Sequence, residues 1–498
     1  MDFYLIIFIT LFSLLISYLR YKYQYWELLG VPQMKMNFLF GNISRLRSIS
    51  RSEIVSDAYQ QFRGKAKFVG TYIFTKPLLV ILDLDLVKAI LIKDFNKFTD
   101  RFQYSADLGN SISANLFALH GERWRPLRIK LSPTFTSAKM KFMFPTLVAV
   151  ARQLDEAFSE ELTQAKDGVI ELHDMMGRYT TDVIGTCAFG VECNSLKDPN
   201  VEFRRIGRQI FYPNFLSIRL RLFLITYSGI FKILKYFRRT TKEVEEFIMR
   251  LVRDTVRLRE EQKIQRNDFI NLLIEMKNTR DENGKPMLTY EEMAAQVFIF
   301  FAAGFETSSS NMTYGLYEMA KNPQLQEKLR AEIVKVLEKY SGELTYEAMM
   351  EMTNLDQVIT ETLRKYPALA SLTRISVEDY KLPDTDITLE KGTRIFVPIK
   401  EIHYDPDIYK NPHEFRPERF DPVEVQKRHP QAFLGFGDGP RNCIGLRFGR
   451  MQVRVGLITL LKSYRFSLCE KTPKQIEISK YSIVLVPGSE VWLKVERL

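Results

Sequence analysis

The hydrophobic pattern of the chain begins with one long apolar segment at the N-terminus. Residues 3–19 read FYLIIFITLFSLLISYL and contain no charged side chain. As a helix this segment spans about 25 Å at ~1.5 Å per residue, slightly less than a bilayer core of about 30 Å. The preceding Met1-Asp2 is not basic, and no small-residue cleavage site follows, which disfavours a cleaved signal peptide. We expect an uncleaved transmembrane anchor.

Basic residues follow this apolar segment but do not precede it. Those in the first 51 positions are Arg20, Lys22, Lys35, Arg45, Arg47 and Arg51. The positive-inside rule therefore places the rest of the chain in the cytosol, and four cysteines without CxxC spacing agree with a reducing compartment. We expect Tyr21, Tyr23, Tyr25 and Trp26 at headgroup level and residues 29–32 as a stiff hinge.

The remaining pattern indicates one large domain in residues 31–498, after an anchor and hinge in residues 1–30. No internal repeat, low-complexity tract or long linker divides it. Helical periodicity dominates from about 115 to 370, and short β-like segments lie near 66–82, 371–398 and 475–495. The expected fold class is α+β, mostly α-helical, with a long central helix, small β-sheets and the N-terminal transmembrane anchor.

The central helix is predicted from its ends and its composition. Thr289 and Glu292 form a capping-box pattern, and Asn322-Pro323 is a stop signal about 32 residues later. Between them VFIFFAAGF, residues 297–305, is apolar on every face, which indicates a buried helix. Gly304 and Glu306 break the local rules in its middle, because glycine weakens a helix and a buried carboxylate is costly. We expect another group to fit against this turn.

A second unusual segment contains a cysteine. Residues 433–450 read FLGFGDGPRNCIGLRFGR, so Cys443 lies in a glycine-rich loop directly before a helical pattern. A helix N-terminus lowers the pKa of a thiol, and small residues allow a flat group to approach the backbone. Three interpretations are open: a buried inert cysteine, a nucleophile, or a thiolate ligand of an iron porphyrin. A nucleophile needs a histidine partner, and the five histidines give no sign of one.

Five motifs together resemble cytochrome P450, the haem-thiolate monooxygenases. Phe436, Gly439, Arg441, Cys443 and Gly445 match the signature F-x-x-G-x-R-x-C-x-G. The other four are W-x-x-x-R at 124–128, A-G-x-E-T at 303–307, E-x-x-R at 361–364, and Arg-Pro-Glu-Arg-Phe at 416–420. Their order and spacing resemble the family over nearly the whole chain, and the segment 131–141 resembles the insect microsomal branch, family 6.

The resemblance implies a haem b site and assigns residues to it. Cys443 becomes the axial ligand of the haem iron, and Glu306 and Thr307 become the catalytic acid–alcohol pair that delivers protons. The residues expected to bind the cofactor are Trp124, Arg128, Ala303, Arg374, Phe436, Arg441, Cys443 and Gly445. The alternatives are solvation for each arginine and, for Thr307, a bond to its own i−4 carbonyl. Glu361, Arg364 and Arg419 resemble the structural Glu-Arg-Arg network of the family.

The same resemblance implies the reaction and its partners. An apolar small molecule, O2 and NADPH-derived electrons would give a hydroxylated product at the endoplasmic reticulum membrane. With no flavin or nicotinamide-binding domain in the chain, electrons would come from NADPH–cytochrome reductase, with cytochrome b5 as a second candidate donor. Basic residues expected to meet the reductase are Lys130, Arg441, Arg447 and Arg450, with ordinary solvation as the alternative.

The resemblance to the insect branch favours xenobiotic metabolism of plant toxins or insecticides. Hydroxylation of an endogenous hormone or lipid is the alternative, followed by a haem-thiolate isomerase or dehydratase and a non-enzymatic haem binder. The family places the pocket walls near 101–120, 203–240, 368–374 and 481–486 and at Phe298, Phe301, Ala302 and Phe305. Ala368-Leu369-Ala370 stands where the family usually has a proline-rich stretch.

Charge refines this prediction. The chain has 71 basic and 60 acidic residues, a net charge of +11, and 46% hydrophobic residues, which excludes a disordered protein. Residues 203–239 hold nine Arg or Lys, nine aromatic residues and no acid. Such a segment is also typical of RNA binding, but this chain carries a membrane anchor and no nucleic-acid motif. We expect a second, peripheral contact with membrane lipid next to the substrate entrance, and no nucleic-acid partner.

Overall fold

A computed structural model describes most of the chain, in the ranges 2–38, 40–45, 52–102, 112–211, 239–266, 268–280, 286–479 and 484–498, with residues 282, 284 and 482. Most of the basic and aromatic segment 203–239 lies outside these ranges, and so does part of the predicted pocket wall. The membrane contact predicted for that segment therefore stays a prediction.

Within the described residues the helices occur in the following order. They are α1 (Asp2–Tyr23), α2 (Tyr25–Leu28), α3 (Ser52–Phe62), α4 (Leu84–Lys88), α5 (Gly121–Leu131), α6 (Ser137–Gln164), α7 (Leu172–Ile184), α8 (Glu202–Phe211), α9 (Arg239–Glu261), α10 (Phe269–Asn278), α11 (Tyr290–Lys321), α12 (Pro323–Lys339), α13 (Tyr346–Glu351), α14 (Thr353–Lys365), α15 (Ile399–His403), α16 (Pro422–Gln426) and α17 (Leu446–Ser463).

The strands form three small sheets. They are β1 (Phe68–Ile73), β2 (Lys76–Ile81), β3 (Val169–Glu171), β4 (Leu372–Ile375), β5 (Tyr380–Lys381), β6 (Thr388–Leu389), β7 (Arg394–Val397), β8 (Tyr464–Ser467) and β9 (Trp492–Arg497). The sheet orders are β1-β2-β7-β4, β3-β9-β8 and β5-β6, and the pairing of β2 with β7 is parallel. The predicted α+β class with small sheets is confirmed. In the described part of the third β-like segment, 475–495, β9 near the end is the strand that forms.

Two apolar cores organise the molecule. The larger core lies among the long helices, chiefly α5–α7, α9–α14 and α17, and the smaller one surrounds the four-stranded sheet. Helix α11 crosses the larger core and packs against α7 and α17. Its capping box forms as predicted, since Thr289 Oγ1 accepts from Glu292 N–H at 3.2 Å and Glu292 Oε2 accepts from Thr289 N–H at 3.0 Å. The predicted central helix is thus confirmed at both ends.

The N-terminal helix is apolar and exposed, and the residues at and after its end contact the four-stranded sheet. Residues Phe3–Tyr23 are long and apolar enough to cross a membrane, with a mean hydropathy of 2.0, and 6% of the most apolar stretch is buried. Just after it, in α2, Trp26 is 0% exposed, and its Nε1 donates to Thr71 O at 3.0 Å. The Tyr72 hydroxyl donates to Tyr23 O at 3.0 Å. The C-terminal end of α1 therefore lies in the smaller core, which surrounds the four-stranded sheet.

Trp26 can enter this core because β1 has a glycine opposite it. A Cβ atom at Gly70 would overlap the indole ring of Trp26. Gly70 N–H also donates to Pro32 O at 2.7 Å, so the predicted hinge segment is hydrogen-bonded to β1. The rings of Tyr23 and Trp26 are therefore covered by protein and do not face lipid directly, and their expected position at headgroup level stays a prediction. Tyr21 is exposed, as expected.

Replacement of Trp26 tests this junction. Trp26→Ala leaves a cavity against Gly70, and we expect the free energy of unfolding to fall by about 3–5 kcal/mol. Denaturant unfolding of the full-length protein in detergent measures the change. Leu28→Ala, two residues away but 76% exposed, is the matched control and should unfold like the parent protein. Equal stability of the two variants would contradict the buried position of Trp26.

Candidate active site

One turn of the central helix is uncovered although its surroundings are buried. Ala303 is exposed and Thr307 is partly exposed, while Phe305 and Glu306 between them are buried. Ala303 and Thr307 are four residues apart and share one face of α11. This open face is where the sequence predicted that another group must fit.

The cysteine loop is a tight backbone structure that precedes α17. Cys443 N–H donates to Phe436 O at 2.9 Å, and Gly437 N–H donates to Leu434 O at 2.8 Å. Gly439 has a φ of +71° and packs so closely on the carbonyl of Leu91 that a Cβ atom would overlap it. Gly445 caps α17, and apart from its chain neighbours no atom of the described residues lies within 4 Å of its Cβ position. The loop thus presents Cys443, whose surface is uncovered, next to open space.

The pKa of the Cys443 thiol differs from the sequence expectation. Burial by the surrounding protein raises this pKa, and the N–H of Gly445 together with Arg128 and Arg101 only partly offsets the rise. The lowering expected from the helix N-terminus is present, but desolvation outweighs it, so the net shift of the Cys443 pKa is upward. A metal ion bound to the sulfur would favour the thiolate at this position.

The cysteine loop is joined to α5 through two arginines and a tryptophan. Trp124 and Arg128 belong to α5, and Arg441 belongs to the loop. Arg128 donates from Nη1 to Asn442 O at 3.0 Å and from Nη2 to Asn442 Oδ1 at 2.8 Å. The guanidinium of Arg441 lies 4.0 Å from the ring centre of Trp124 and donates to Leu119 O at 2.6 Å. Trp124 and Arg128 share one face of α5, as their i,i+4 spacing predicted.

Further cations converge on the same place. Arg374 is 1% exposed, its Nη1 donates to Thr373 O at 2.8 Å, and its Nε has no hydrogen-bond partner among the described residues. Burial lowers the pKa of Arg374 to about 10. Burial and the neighbouring Arg374 also lower the pKa of Arg441 to about 9, with Asp100 acting in the opposite direction. These shifts show positive charge held close together in a desolvated place.

Arg101 is a fourth member of this group that the sequence analysis missed. It donates to Phe117 O at 3.2 Å and to Arg441 O at 2.9 Å. Burial lowers its pKa well below the ordinary value, and Arg374, Arg441 and Arg128 lower it further. Its only signal in the sequence is an arginine beside an aromatic residue, which is too common to assign. Below, Arg101, Arg128, Arg374 and Arg441 are called the arginine cage.

These features fit a haem group. A porphyrin is flat, carries two carboxylates and holds an iron ion. The uncovered faces of Ala303 and Cys443 suit a flat group, and the arginine cage with its unpartnered Nε supplies donors and charge for carboxylates. The iron supplies positive charge that favours the thiolate form of Cys443.

The proposed acid–alcohol pair divides between two faces of α11. Glu306 is 2% exposed, and its Oε1 lies 3.3 Å from Nε2 of His173 at the start of α7. Thr307 Oγ1 donates to Ala303 O at 2.7 Å, which is the local bond considered as the alternative for this residue. The oxygen of Thr307 can still accept a hydrogen bond on the open face. No sequence signal connects His173 with Glu306, which lies more than 130 residues later.

The Glu-Arg-Arg residues form a buried network. Arg364 donates to both oxygens of Glu361, at 2.7 and 2.9 Å, and neither side chain is exposed. Arg419 Nε lies 3.4 Å from Glu361 Oε1, which also accepts from Arg416 N–H at 2.8 Å. Arg364 further donates to Pro412 O at 2.9 Å. The network joins α14 to the segment that precedes the cysteine loop.

The apolar side of the central helix meets α8. The rings of Phe301 and Phe305 are 5.3 Å apart, and Phe203 and Phe211 contact them at 5.8 and 5.5 Å. Phe301, Phe305 and Ala302 are buried and Phe298 is partly buried. The parts of the predicted pocket wall in 103–111, 212–240 and at 481 and 483 lie outside the residues whose side chains are described.

Several of the basic residues assigned to partner surfaces are already paired or buried. Arg441 is 3% exposed and cannot form part of a surface, and Arg450 Nη1 lies 3.2 Å from Asp356. In the described part of the basic segment, Arg204 and Arg208 pair with Asp174, and Arg205 pairs with Glu243. The free positive charge expected there is therefore smaller than the residue count suggests.

Comparisons with known proteins agree with these features. A family model described as Cytochrome P450 matches residues 31–493. "Cytochrome P450 6a9" of Drosophila melanogaster is 44% identical over 494 residues, which is 97% of each chain. "Probable cytochrome P450 6a21" of the same species is 43% identical over 98% of this chain and 99% of its own. "Cytochrome P450 6A1" of Musca domestica is 40% identical over 98% and 97%.

Removal of Glu361 tests the buried network. Glu361→Ala leaves Arg364 and Arg419 without their shared carboxylate, and we expect the free energy of unfolding to fall by about 3–5 kcal/mol. Denaturant unfolding of the full-length protein measures it. Glu424→Ala removes a carboxylate with the same i,i+3 spacing from an exposed pair with Lys427, and should leave stability unchanged. A small effect of Glu361→Ala would show that the network carries little of the stability.

Proposed function

Because the chain belongs to the cytochrome P450 family and is a P450 monooxygenase, we propose that it oxidises apolar foreign compounds with O2 and electrons from NADPH. The observation that carries this proposal is the convergence of the arginine cage on an uncovered cysteine. A nucleophilic cysteine needs a base, and these contacts supply cations instead. The insect relatives with family-6 names favour a role in xenobiotic metabolism.

The residues of this chain have separate tasks in binding haem b. Cys443 would ligate the iron through its thiolate. Arg128, Arg374 and Arg441, with Arg101, would hold the haem carboxylates, and Trp124 supports Arg441 through its ring face. When bound, a thiolate-ligated haem supplies the electron-transfer and O–O cleavage chemistry of the reaction. Ala303, Phe436 and Gly445 would leave room for the porphyrin plane.

Protons would be handled by the central helix. The reaction consumes two protons for each oxygen atom that leaves as water, and the apolar surroundings exclude bulk solvent. Thr307 Oγ1 lies on the open face and would pass a proton toward the reacting oxygen. Glu306, the preceding residue of α11, and His173 of α7 would hold ionisable groups behind it. Gly304 lets α7 pack closely on α11, because a Cβ atom there would overlap the side chain of Ile184.

Location and electron supply complete the proposal. Helix α1 would anchor the protein in the endoplasmic reticulum membrane, with the catalytic domain, residues 31–498, in the cytosol. Electrons would come from a separate NADPH–cytochrome reductase, and cytochrome b5 is a second candidate donor. A panel of apolar compounds, incubated with microsomes that contain the protein and the reductase, tests the substrate class by the mass of the products. Oxidation of endogenous lipids or hormones alone would redirect the proposal.

Substitution of the cysteine tests the haem assignment. Cys443→Ala removes the proposed iron ligand, and we expect loss of the thiolate-type absorption spectrum and of NADPH-dependent product formation by roughly a hundredfold or more. Cys469→Ala, a partly exposed cysteine near the C-terminus, is the control and should retain both. A thiolate-type spectrum in Cys443→Ala would reject Cys443 as the ligand.

Substitution of Thr307 tests proton delivery. Thr307→Ala removes the hydroxyl on the open face, and we expect product formation to fall roughly tenfold or more while peroxide released per NADPH rises. Thr313→Ala is the matched control, because Thr313 Oγ1 also donates to its i−4 carbonyl, at 2.8 Å, on the same helix. If both variants release equal peroxide, the hydroxyl of Thr307 acts only through the helix backbone.

A further inference from the structure

One buried histidine has no part in the chemistry proposed above. His403, at the end of α15, is fully buried, and both of its ring nitrogens are engaged. Nδ1 lies 3.0 Å from the carbonyl oxygen of Arg364, and Nε2 accepts from the N–H of Leu434 at 2.9 Å. The ring also stacks on Phe433, with 5.3 Å between ring centres and 5° between planes.

These contacts define one protonation state. A backbone N–H points at Nε2, so Nε2 carries no proton and Nδ1–H donates to Arg364 O. Burial lowers the pKa of His403 to about 3, which keeps the ring neutral at ordinary pH. With both nitrogens occupied, His403 has none left for a substrate or a metal ion.

On its Nδ1 side, His403 contacts Arg364, a member of the Glu-Arg-Arg network. Arg364 lies in the last turn of α14, where carbonyl groups lack partners within the helix, and His403 Nδ1–H supplies one. In return Arg364 Nη1 donates to the carbonyl oxygen of His403 at 2.8 Å. The two residues are therefore bonded twice, once through each side chain.

On its Nε2 side, His403 contacts Leu434, which lies in the loop that contains Cys443. Leu434 begins the loop, and its carbonyl oxygen accepts from Gly437 N–H. Gly435 is packed between Phe433 and Leu363, so this part of the loop lies directly on α14. Phe436, the next residue, accepts the hydrogen bond from Cys443 N–H. His403 Nε2 thus holds the loop two residues before the carbonyl that fixes the cysteine backbone.

We propose that His403 is a positioning residue, which fixes the cysteine loop on α14 and through it the place of the Cys443 sulfur. The inference rests on the proposed haem-thiolate function of Cys443. A histidine suits this role because one rigid ring carries a donor and an acceptor on different edges. Glutamine can reproduce the acceptor at the ε position, and asparagine can reproduce the donor at the δ position.

Three variants of the full-length haem protein test this role. The readout is the carbon monoxide difference spectrum after reduction, which separates thiolate-type from thiol-type ligation, together with hydrogen exchange of the amide of Leu434. His403→Ala should lose more than half of the thiolate-type band and speed exchange about tenfold or more. His403→Gln should recover most of both, and His403→Asn should resemble His403→Ala. His413→Ala, at an exposed histidine, is the control and should match the parent protein.

The outcomes distinguish the role from general packing. Equal loss in all three variants, including failure of all three to incorporate haem, would overturn the inference, because the ring would then act by its volume alone. Unchanged spectra in all three would overturn it as well, and so would recovery by asparagine but not by glutamine. Absence of the thiolate-type band from the parent protein would instead overturn the proposed function, whatever the variants show.

Discussion

Positive charge in the interior, which exceeds the carboxylate charge that the described residues place beside it, is the constraint on which the rest of this structure depends. Burial lowers the pKa of every arginine in the cage, and neighbouring arginines lower the pKa values of Arg101 and Arg441 further, with Asp100 acting in the opposite direction at Arg441. Burial of unbalanced charge is unfavourable, so the polypeptide alone holds this region at a cost. A dianionic cofactor removes that cost, which makes cofactor binding a contribution to folding stability.

The scaffold holds these cations mainly with backbone carbonyls. Residues 99, 117 and 119 lend carbonyl oxygens to Arg101 and Arg441, and the loop residue Asn442 accepts from Arg128. Backbone acceptors stabilise a guanidinium without neutralising it, so the charge remains available to a ligand. The carboxylate of Glu361, by contrast, is used up by Arg364 and Arg419. The protein therefore separates a structural network, whose arginines share a carboxylate, from a binding group held by backbone carbonyls.

The sequence predicted features that depend on neighbours along the chain. The capping box of Thr289 and Glu292 and the shared face of Trp124 and Arg128 need only residues three or four positions apart. Trp26 in the core needs Gly70, and His173 beside Glu306 needs a helix packed from another part of the chain. The direction predicted for the Cys443 pKa differed for the same reason. The effect of the helix N-terminus is local in sequence, whereas burial depends on the whole fold. Arg101 belongs to the site only because distant segments converge there.

The lodging of Trp26 against Gly70 has a geometric consequence. A transmembrane helix that continues into a flexible linker lets its domain tilt freely. A helix that ends in the core of its domain restricts the orientation of the domain relative to the helix. With α1 in a bilayer, the body could rotate about the membrane normal and diffuse in the plane, but the buried junction at Trp26 would restrict its tilt relative to α1. A membrane-bound electron donor would then meet the domain at a restricted distance from the bilayer and a restricted tilt. Their encounter would require only diffusion in the membrane plane and rotation about its normal.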